Sequence, residues 1–166
     1  MPSLYYVNVT LHVLGAMLWL GGMFFLGVVG VPVLRAIEPA ALRYRLFHEF
    51  GSRFRRVGWW AIALLIVTGV INLHFRDWLH WRGVLGSAAF WNTTLGRALG
   101  IKLLTVSIMI AFSAVHDFVD GPRAMQAVPG SPEALRLRRR AALLARANAL
   151  LGVLLVAAAV RLARGG

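Results

Sequence analysis

Long apolar runs alternate with short basic segments along this chain, a pattern typical of helices that cross a membrane. The apolar runs cover residues 5–31, 57–74, 98–116 and 142–160. A helix needs ~20 apolar residues to cross ~30 Å of hydrocarbon. Residues 1–34 carry no charge, and no charged side chain lies between Arg56 and Arg76. The pattern predicts an all-α integral membrane protein, a four-helix transmembrane bundle that forms a single domain over residues 1–166.

Two other interpretations of the apolar runs fit less well. A soluble helical bundle requires a polar face on each helix, and the run 57–74 has none. A cleaved signal peptide is not expected, because no basic segment precedes the first run and the run exceeds the ~7–15 residues of a signal sequence. Only 14% of the residues are charged, against ~25% in soluble domains. No internal repeat is evident in the sequence.

The basic residues lie mainly between the first and second runs and between the third and fourth. These are Arg35, Arg43, Arg45, Arg53, Arg55, Arg56, Arg123, Arg136, Arg138, Arg139, Arg140 and Arg146. The segment between the second and third runs holds only Arg76, Arg82 and Arg97. Because basic loops face the cytoplasm, this distribution predicts both termini outside. It also accounts for the net charge of +12, so lipid headgroups and not nucleic acid are the expected partner.

The connecting segments have patterns of their own. From Glu38-Pro39 to Arg56, apolar residues alternate with arginines at helical spacing. This pattern predicts an amphipathic cytoplasmic helix before helix two, and it leaves open whether the two helices are continuous. Residues 83–96 are interpreted as an outer loop or short interfacial turn that ends at a Thr94 helix cap, and 120–135 as an inner loop. Gly96 and Gly100 permit close contact at the start of helix three.

Five histidines are the main candidates for chemistry, since the chain has no cysteine and metal ligands must come from His, Met, carboxylates or the backbone. An ionisable residue within a span is costly and is a functional-site hypothesis by default. His12 lies inside the first run, whereas His74 and His116 lie at the ends of the second and third. With the predicted topology, His12, His74 and His80 form an outer set, and His116 and His48 an inner set.

Helical spacing places several of these residues on two stripes. His12, Ala16, Trp19 and Met23 share one face of helix one, and Lys102, Met109 and His116 share one face of helix three. Each stripe contains an ionisable group and is expected to face the bundle interior, where Thr68, Asn72 and Asn148 could join it. The candidate metal ligands are His12, His74, His116 and Met23. Secondary candidates are His48, His80, Lys102, Met17, Met109, Trp19 and Asn148.

Each candidate also has a structural explanation. His12 and Asn148 are suited to hydrogen bonds between helices, worth ~0.6–2 kcal/mol. Lys102 lies near a span end and can extend to the headgroups, and buried methionines more often pack than bind metals. No nucleophile–base arrangement, phosphate-binding glycine loop or carboxylate pair lies within the runs. Hydrolase or nucleotide-driven chemistry is therefore not expected, and the sequence does not decide whether the protein is an enzyme.

Three stretches carry a family resemblance: LHVLGAMLWLGGMFF from Leu11, RFRRVGWWAIALLIVTGVINL from Arg53, and Lys102 with the later His116-Asp117-Phe118 and Gly121-Pro122. They resemble the CopD-like proteins, the copper resistance protein D family. The resemblance implies a multi-pass protein of the bacterial plasma (inner) membrane that moves copper inward from the periplasm, with a periplasmic copper or redox partner. The chain is similar to the compact four-helix core of that family and has no Met-rich outer tail.

A histidine on helix one and a lysine on helix three also resemble the HemJ-type protoporphyrinogen oxidase of bacteria, a four-helix haem protein. His12 and Lys102 match that pattern in kind. Three functions follow as hypotheses. In the first, the protein handles copper and binds the ion through His and Met ligands. In the second, it binds haem b as a membrane redox protein or a HemJ-like oxidase. In the third, it is a structural or assembly subunit. A Soret band would distinguish haem from copper.

Overall fold

The structure, a computed structural model, describes residues 2–79, 84–128 and 130–164. These residues form helices and turns without any strand. Four helical stretches are long and apolar enough to cross a membrane: Ser3–Arg35, Ala40–Phe75, Thr94–Ala124 and Pro132–Ala163. Each contains one of the apolar runs and extends beyond it. The predicted all-α membrane fold with four spans is confirmed.

The helices group into two compact units, Met1–Gly86 and Ser87–Gly166. Unit 1 contains α1 (Pro2–Phe25), a π-helical turn (Leu26–Gly30), α2 (Val31–Arg35), α3 (Ala40–Phe75) and a 3₁₀ turn (Val84–Gly86). Unit 2 contains α4 (Ala88–Trp91), α5 (Thr94–Ala114), a second π-helical turn (Val115–Asp120), α6 (Gly121–Gln126) and α7 (Pro132–Ala163). In each unit two long helices pack together as a hairpin, α1 against α3 and α5 against α7. A single domain over 1–166 stays a prediction.

Glycines on both helices allow α1 and α3 to approach closely. A Cβ added at Gly22 would lie 2.6 Å from Cε2 of Phe54, and one at Gly58 would lie 3.8 Å from Cδ1 of Trp19. Small residues replace side-chain bulk at such contacts, and tight van der Waals packing is a main source of helix association in a bilayer. The ring of each aromatic residue therefore packs over a glycine of the opposite helix.

The two hairpins share a pattern that the sequence did not reveal. Pro32 follows the first π-helical turn, and Pro122 follows the second ninety residues later. Proline removes a backbone donor and clashes with the carbonyl four residues earlier, and the wider π turn relieves that crowding.

Buried positions also recur at an offset of ninety residues. The pairs are Asn8 and Ala98, Gly15 and Thr105, Trp19 and Met109, Gly30 and Asp120, Gly58 and Asn148, Ile62 and Gly152, and Thr68 and Ala158. The two units therefore repeat one pattern of burial and helix winding, with different side chains at equivalent places.

The predicted amphipathic segment is continuous with the second span, since α3 runs unbroken from Ala40 to Phe75. The segment 83–96 is more ordered than the predicted loop, because it includes α4 and the start of α5. Thr93 is the N-cap of α5, one residue before the predicted Thr94, and its hydroxyl accepts a 3.0 Å hydrogen bond from the amide of Gly96. The segment 120–135, predicted as a loop, includes α6 and the first residues of α7.

Candidate metal-ligand site around His12

A polar network joins α1 to α3 inside unit 1. The amide nitrogen of Asn8 donates to the backbone oxygen of Thr68 at 3.0 Å and to Oδ1 of Asn72 at 2.9 Å. The side chains of Asn8 and Thr68 are almost inaccessible, with 7% and 2% exposure. Asn8 lies one helical turn before His12, so both residues project from the same face of α1. The sequence named Thr68 and Asn72 as candidates for an internal polar seam but missed Asn8.

The hydrogen bond between His12 and Thr68 determines which imidazole nitrogen carries the proton. Nδ1 of His12 lies 2.7 Å from Oγ1 of Thr68, and the same Oγ1 lies 2.6 Å from the backbone oxygen of Leu64. A hydroxyl has one hydrogen, and a carbonyl oxygen can only accept. The Thr68 hydroxyl therefore donates to Leu64, and Nδ1–H of His12 donates to Thr68. We assign the neutral ring as the Nδ1–H tautomer, with the lone pair on Nε2.

This arrangement has the form found around metal-binding histidines. Such a ring binds the metal through one nitrogen and donates a hydrogen bond from the other, which fixes its tautomer and orientation. The ring of His12 is half-buried and lies over Gly69, where an added Cβ would be 3.5 Å from Cε1. Thr68 thus bonds to the imidazole, and the missing side chain of Gly69 leaves room for the ring against α3.

The other candidates in unit 1 lie at different depths. Met23 is eleven residues beyond His12 on α1, ~16 Å along the axis at ~1.5 Å per residue. His74 is exposed and lies six residues beyond Thr68, ~9 Å along α3. Met17 is 65% exposed. Metal–nitrogen bonds are ~2 Å long, so these spacings do not place His74 or Met23 beside His12.

Two further candidates in unit 1 have clear surroundings. Trp19 is buried and packs over Gly58, so it contributes to the α1–α3 contact. His48 is exposed in the arginine-bearing part of α3. His80 lies outside the described residues.

The residues of the second predicted stripe, which lie in unit 2, differ in how far they are exposed. Met109 is completely buried, Lys102 is half-buried and His116 is exposed within the π-helical turn. Asn148 is buried, and its Nδ2 donates to Oγ of Ser113 at 3.2 Å. Lys102 occupies in unit 2 the position that His12 occupies in unit 1, ninety residues earlier.

A buried carboxylate in unit 2 was not predicted as a site. Asp120 is 2% exposed, and its Oδ2 lies 3.1 Å from Nε of Arg140 on α7. A π turn contains about one residue more than an α turn, so positions after it are rotated by ~100° relative to an uninterrupted helix. Asp120 faces α7 at the end of such a turn. The sequence pattern placed this residue in a loop because residues 120–135 are polar and rich in turn-forming residues.

Within residues 2–79, 84–128 and 130–164, no group of three or more His, Cys, Asp or Glu side chains is placed to hold a metal ion together. Among these residues His12 belongs to no such group, and it is bonded to Thr68 beside the hydrogen bonds of Asn8 and Asn72.

Sequence comparisons identify the family. The copper resistance protein D (CopD) family matches residues 48–162, from within α3 to near the end of α7. The match includes Thr68 and Asn72 and begins after His12. An uncharacterized protein of Aquifex aeolicus (strain VF5) is 31% identical in an alignment of 121 residues that covers 69% of each chain. No solved structure is significantly similar to the chain. With four spans and a family match over most of its length, the chain belongs to the CopD family of copper resistance-related membrane proteins.

Proposed function

We propose that this protein handles copper in the bacterial plasma membrane, in transport or homeostasis, and that Nε2 of His12 is a copper ligand. The observation that carries the proposal is the hydrogen-bond chain from His12 Nδ1–H through the Thr68 hydroxyl to Leu64. It orients the imidazole and fixes its tautomer, as hydrogen bonds do around metal-binding histidines. Imidazole suits copper, and thioether sulfur suits Cu(I) in particular.

The spacing of the other ligands favours transfer over storage. His74 and Met23 lie on either side of His12 at different depths of the hairpin, so we propose them as separate contact points for the ion and not as one cage. His116 is proposed as a further contact point in unit 2. A copper ion held by few protein ligands binds weakly enough to leave. We place the N-terminal end of α1 outside, on the arginine distribution, and a periplasmic partner as the source of the ion.

The test is Cu(I) binding by purified protein in detergent, measured against a competing chelator. His12→Ala is expected to weaken copper binding by ~10-fold or more, since removing even a partner of a ligand typically costs ~10–100-fold. Leu11→Ala is the matched control, because Leu11 is an exposed neighbour on α1. Equal copper binding by His12→Ala and Leu11→Ala would overturn His12 as a ligand.

The absorption spectrum of the same preparation separates the other two functions. A Soret band that disappears in His12→Ala would replace copper with haem b, and the HemJ-like oxidase would become the function to assay. Well-folded protein that takes up neither copper nor haem would leave a structural or assembly role. In that case the network of Asn8, His12 and Thr68 would serve only to join α1 to α3.

A further inference from the structure

Unit 2 contains a cavity at the end where α5 begins and α7 ends. Its volume is about 240 Å³, and Arg97 and Arg161 line it together with Ala98, Ile101 and Ala158. Arg97 lies three residues after the start of α5, and Arg161 lies two residues before the end of α7. Both arginines are therefore within about one turn of a span end, at the level where a bilayer presents its headgroups.

The charges around this cavity lack a counterion in the described part of the chain. Arg97 and Arg161 are exposed, and no ion pair to either one is found among residues 2–79, 84–128 and 130–164. Each guanidinium carries five N–H donors in a planar fork that matches carboxylate and phosphate oxygens. An anion bound in the cavity would offer both groups a partner for these donors.

Unit 1 provides an internal comparison for this cavity. Ala98 and Ala158 occupy the positions of Asn8 and Thr68, where the Asn8 amide donates a hydrogen bond to the Thr68 backbone oxygen. Arg97 and Arg161 occupy the positions of Val7 and Ile71, both apolar and exposed. Unit 2 therefore carries two alanines and two arginines where unit 1 carries a hydrogen-bonded polar pair and two apolar side chains.

We propose that this cavity binds an anionic phosphate or carboxylate group, and that the group is the headgroup of an anionic phospholipid. The arginines bind the headgroup, and the surface of Ile101 and the two alanines receives the first part of the acyl chain. A guanidinium binds phosphate oxygens through paired N–H donors, and the cavity between α5 and α7 adds a defined place for one headgroup. The proposal does not depend on copper, and it concerns only residues of unit 2.

The test is native mass spectrometry of the full chain in detergent, with phosphatidylglycerol, phosphatidylethanolamine or inorganic phosphate added. The wild type is expected to retain one phosphatidylglycerol in preference to phosphatidylethanolamine. The double variant Arg97→Gln/Arg161→Gln is expected to lose that retention by ~10-fold or more, the effect of removing charge-assisted hydrogen bonds. Arg164→Gln is the matched control, because Arg164 lies at the same end of α7 without lining the cavity.

A second variant separates the cavity from general surface charge. Ala158→Leu fills the space and keeps both arginines, so it is expected to weaken phosphatidylglycerol retention as well. Retention by Ala158→Leu equal to the wild type would overturn the cavity, and equal loss in Arg164→Gln would overturn the role of the two arginines. Displacement of the lipid by inorganic phosphate at similar concentration would overturn the phospholipid as the ligand. The cavity would then be a site for a soluble anion.

Discussion

Replacing Thr68 by valine separates the orientation of His12 from the presence of its ring. Valine keeps the shape of threonine and removes the hydroxyl that accepts from Nδ1 of His12. Thr68 is 2% exposed, so water does not readily replace the lost group. Hydrogen bonds between helices in a membrane contribute ~0.6–1.7 kcal/mol, a small part of the ~5–15 kcal/mol that stabilises a folded protein. The variant is therefore expected to fold.

Copper affinity is expected to respond more strongly than stability. Loss of a group that orients a metal-binding histidine typically costs ~10–100-fold in affinity. Cu(I) titration against a chelator should show this loss for Thr68→Val, while Thr68→Ser, which keeps the hydroxyl, should stay close to the wild type. Thermal unfolding of both variants is measured in parallel. Equal copper affinity of the valine and serine variants would refute the role of the hydroxyl in preparing His12.

Three further predictions concern packing, charge and topology. Gly96→Ala should lower the melting temperature, because the added Cβ would clash with the backbone oxygen of Phe90 and overpacking costs ~1–3 kcal/mol. Arg140→Gln should also lower the melting temperature, since it leaves the buried Asp120 carboxylate without its cation. The chain has no cysteine, so Ser52→Cys introduces a single thiol, which an impermeant maleimide should label only after the membrane is permeabilised.

Each of these predictions has a matched control. Gly86→Ala meets no atom within 4 Å and should melt like the wild type; a similar loss in both glycine variants would contradict the packing explanation. Adding Asp120→Asn to Arg140→Gln should restore stability, and a double variant as unstable as Arg140→Gln would contradict the charge explanation. Ser3→Cys should react in intact cells, whereas protection of Ser3→Cys with labelling of Ser52→Cys would reverse the topology.

The sequence predicted the spans well because crossing a bilayer imposes a length and a composition on each helix. It also predicted that the amphipathic segment could continue into the second span. It missed the π-helical turns, because a change of one residue in helical winding alters hydrogen bonding without altering hydropathy. The repeat was hidden for a related reason: equivalent positions share burial, but pairs such as Trp19 and Met109 share little chemistry.

For the candidate site, residue types were easier to predict than pairings. His12, Thr68 and Asn72 were all named, but their contacts depend on how α1 is aligned with α3, which periodicity on one helix cannot determine. Asn8 could have been found, since it lies four residues before His12 on the same face. The Asp120–Arg140 pair depends on both the π turn and the packing of α7, so no local pattern indicated it.

The length of α3 has a mechanical consequence. Its 36 residues make a rod of ~54 Å, against ~30 Å of hydrocarbon. The helix has no break between the arginines of its N-terminal half and Thr68. Thr68 lies ~18 Å beyond Arg56 along the helix axis. Because the helix is continuous, a tilt of its arginine-bearing half would also move Thr68, whose hydroxyl is hydrogen-bonded to the His12 ring.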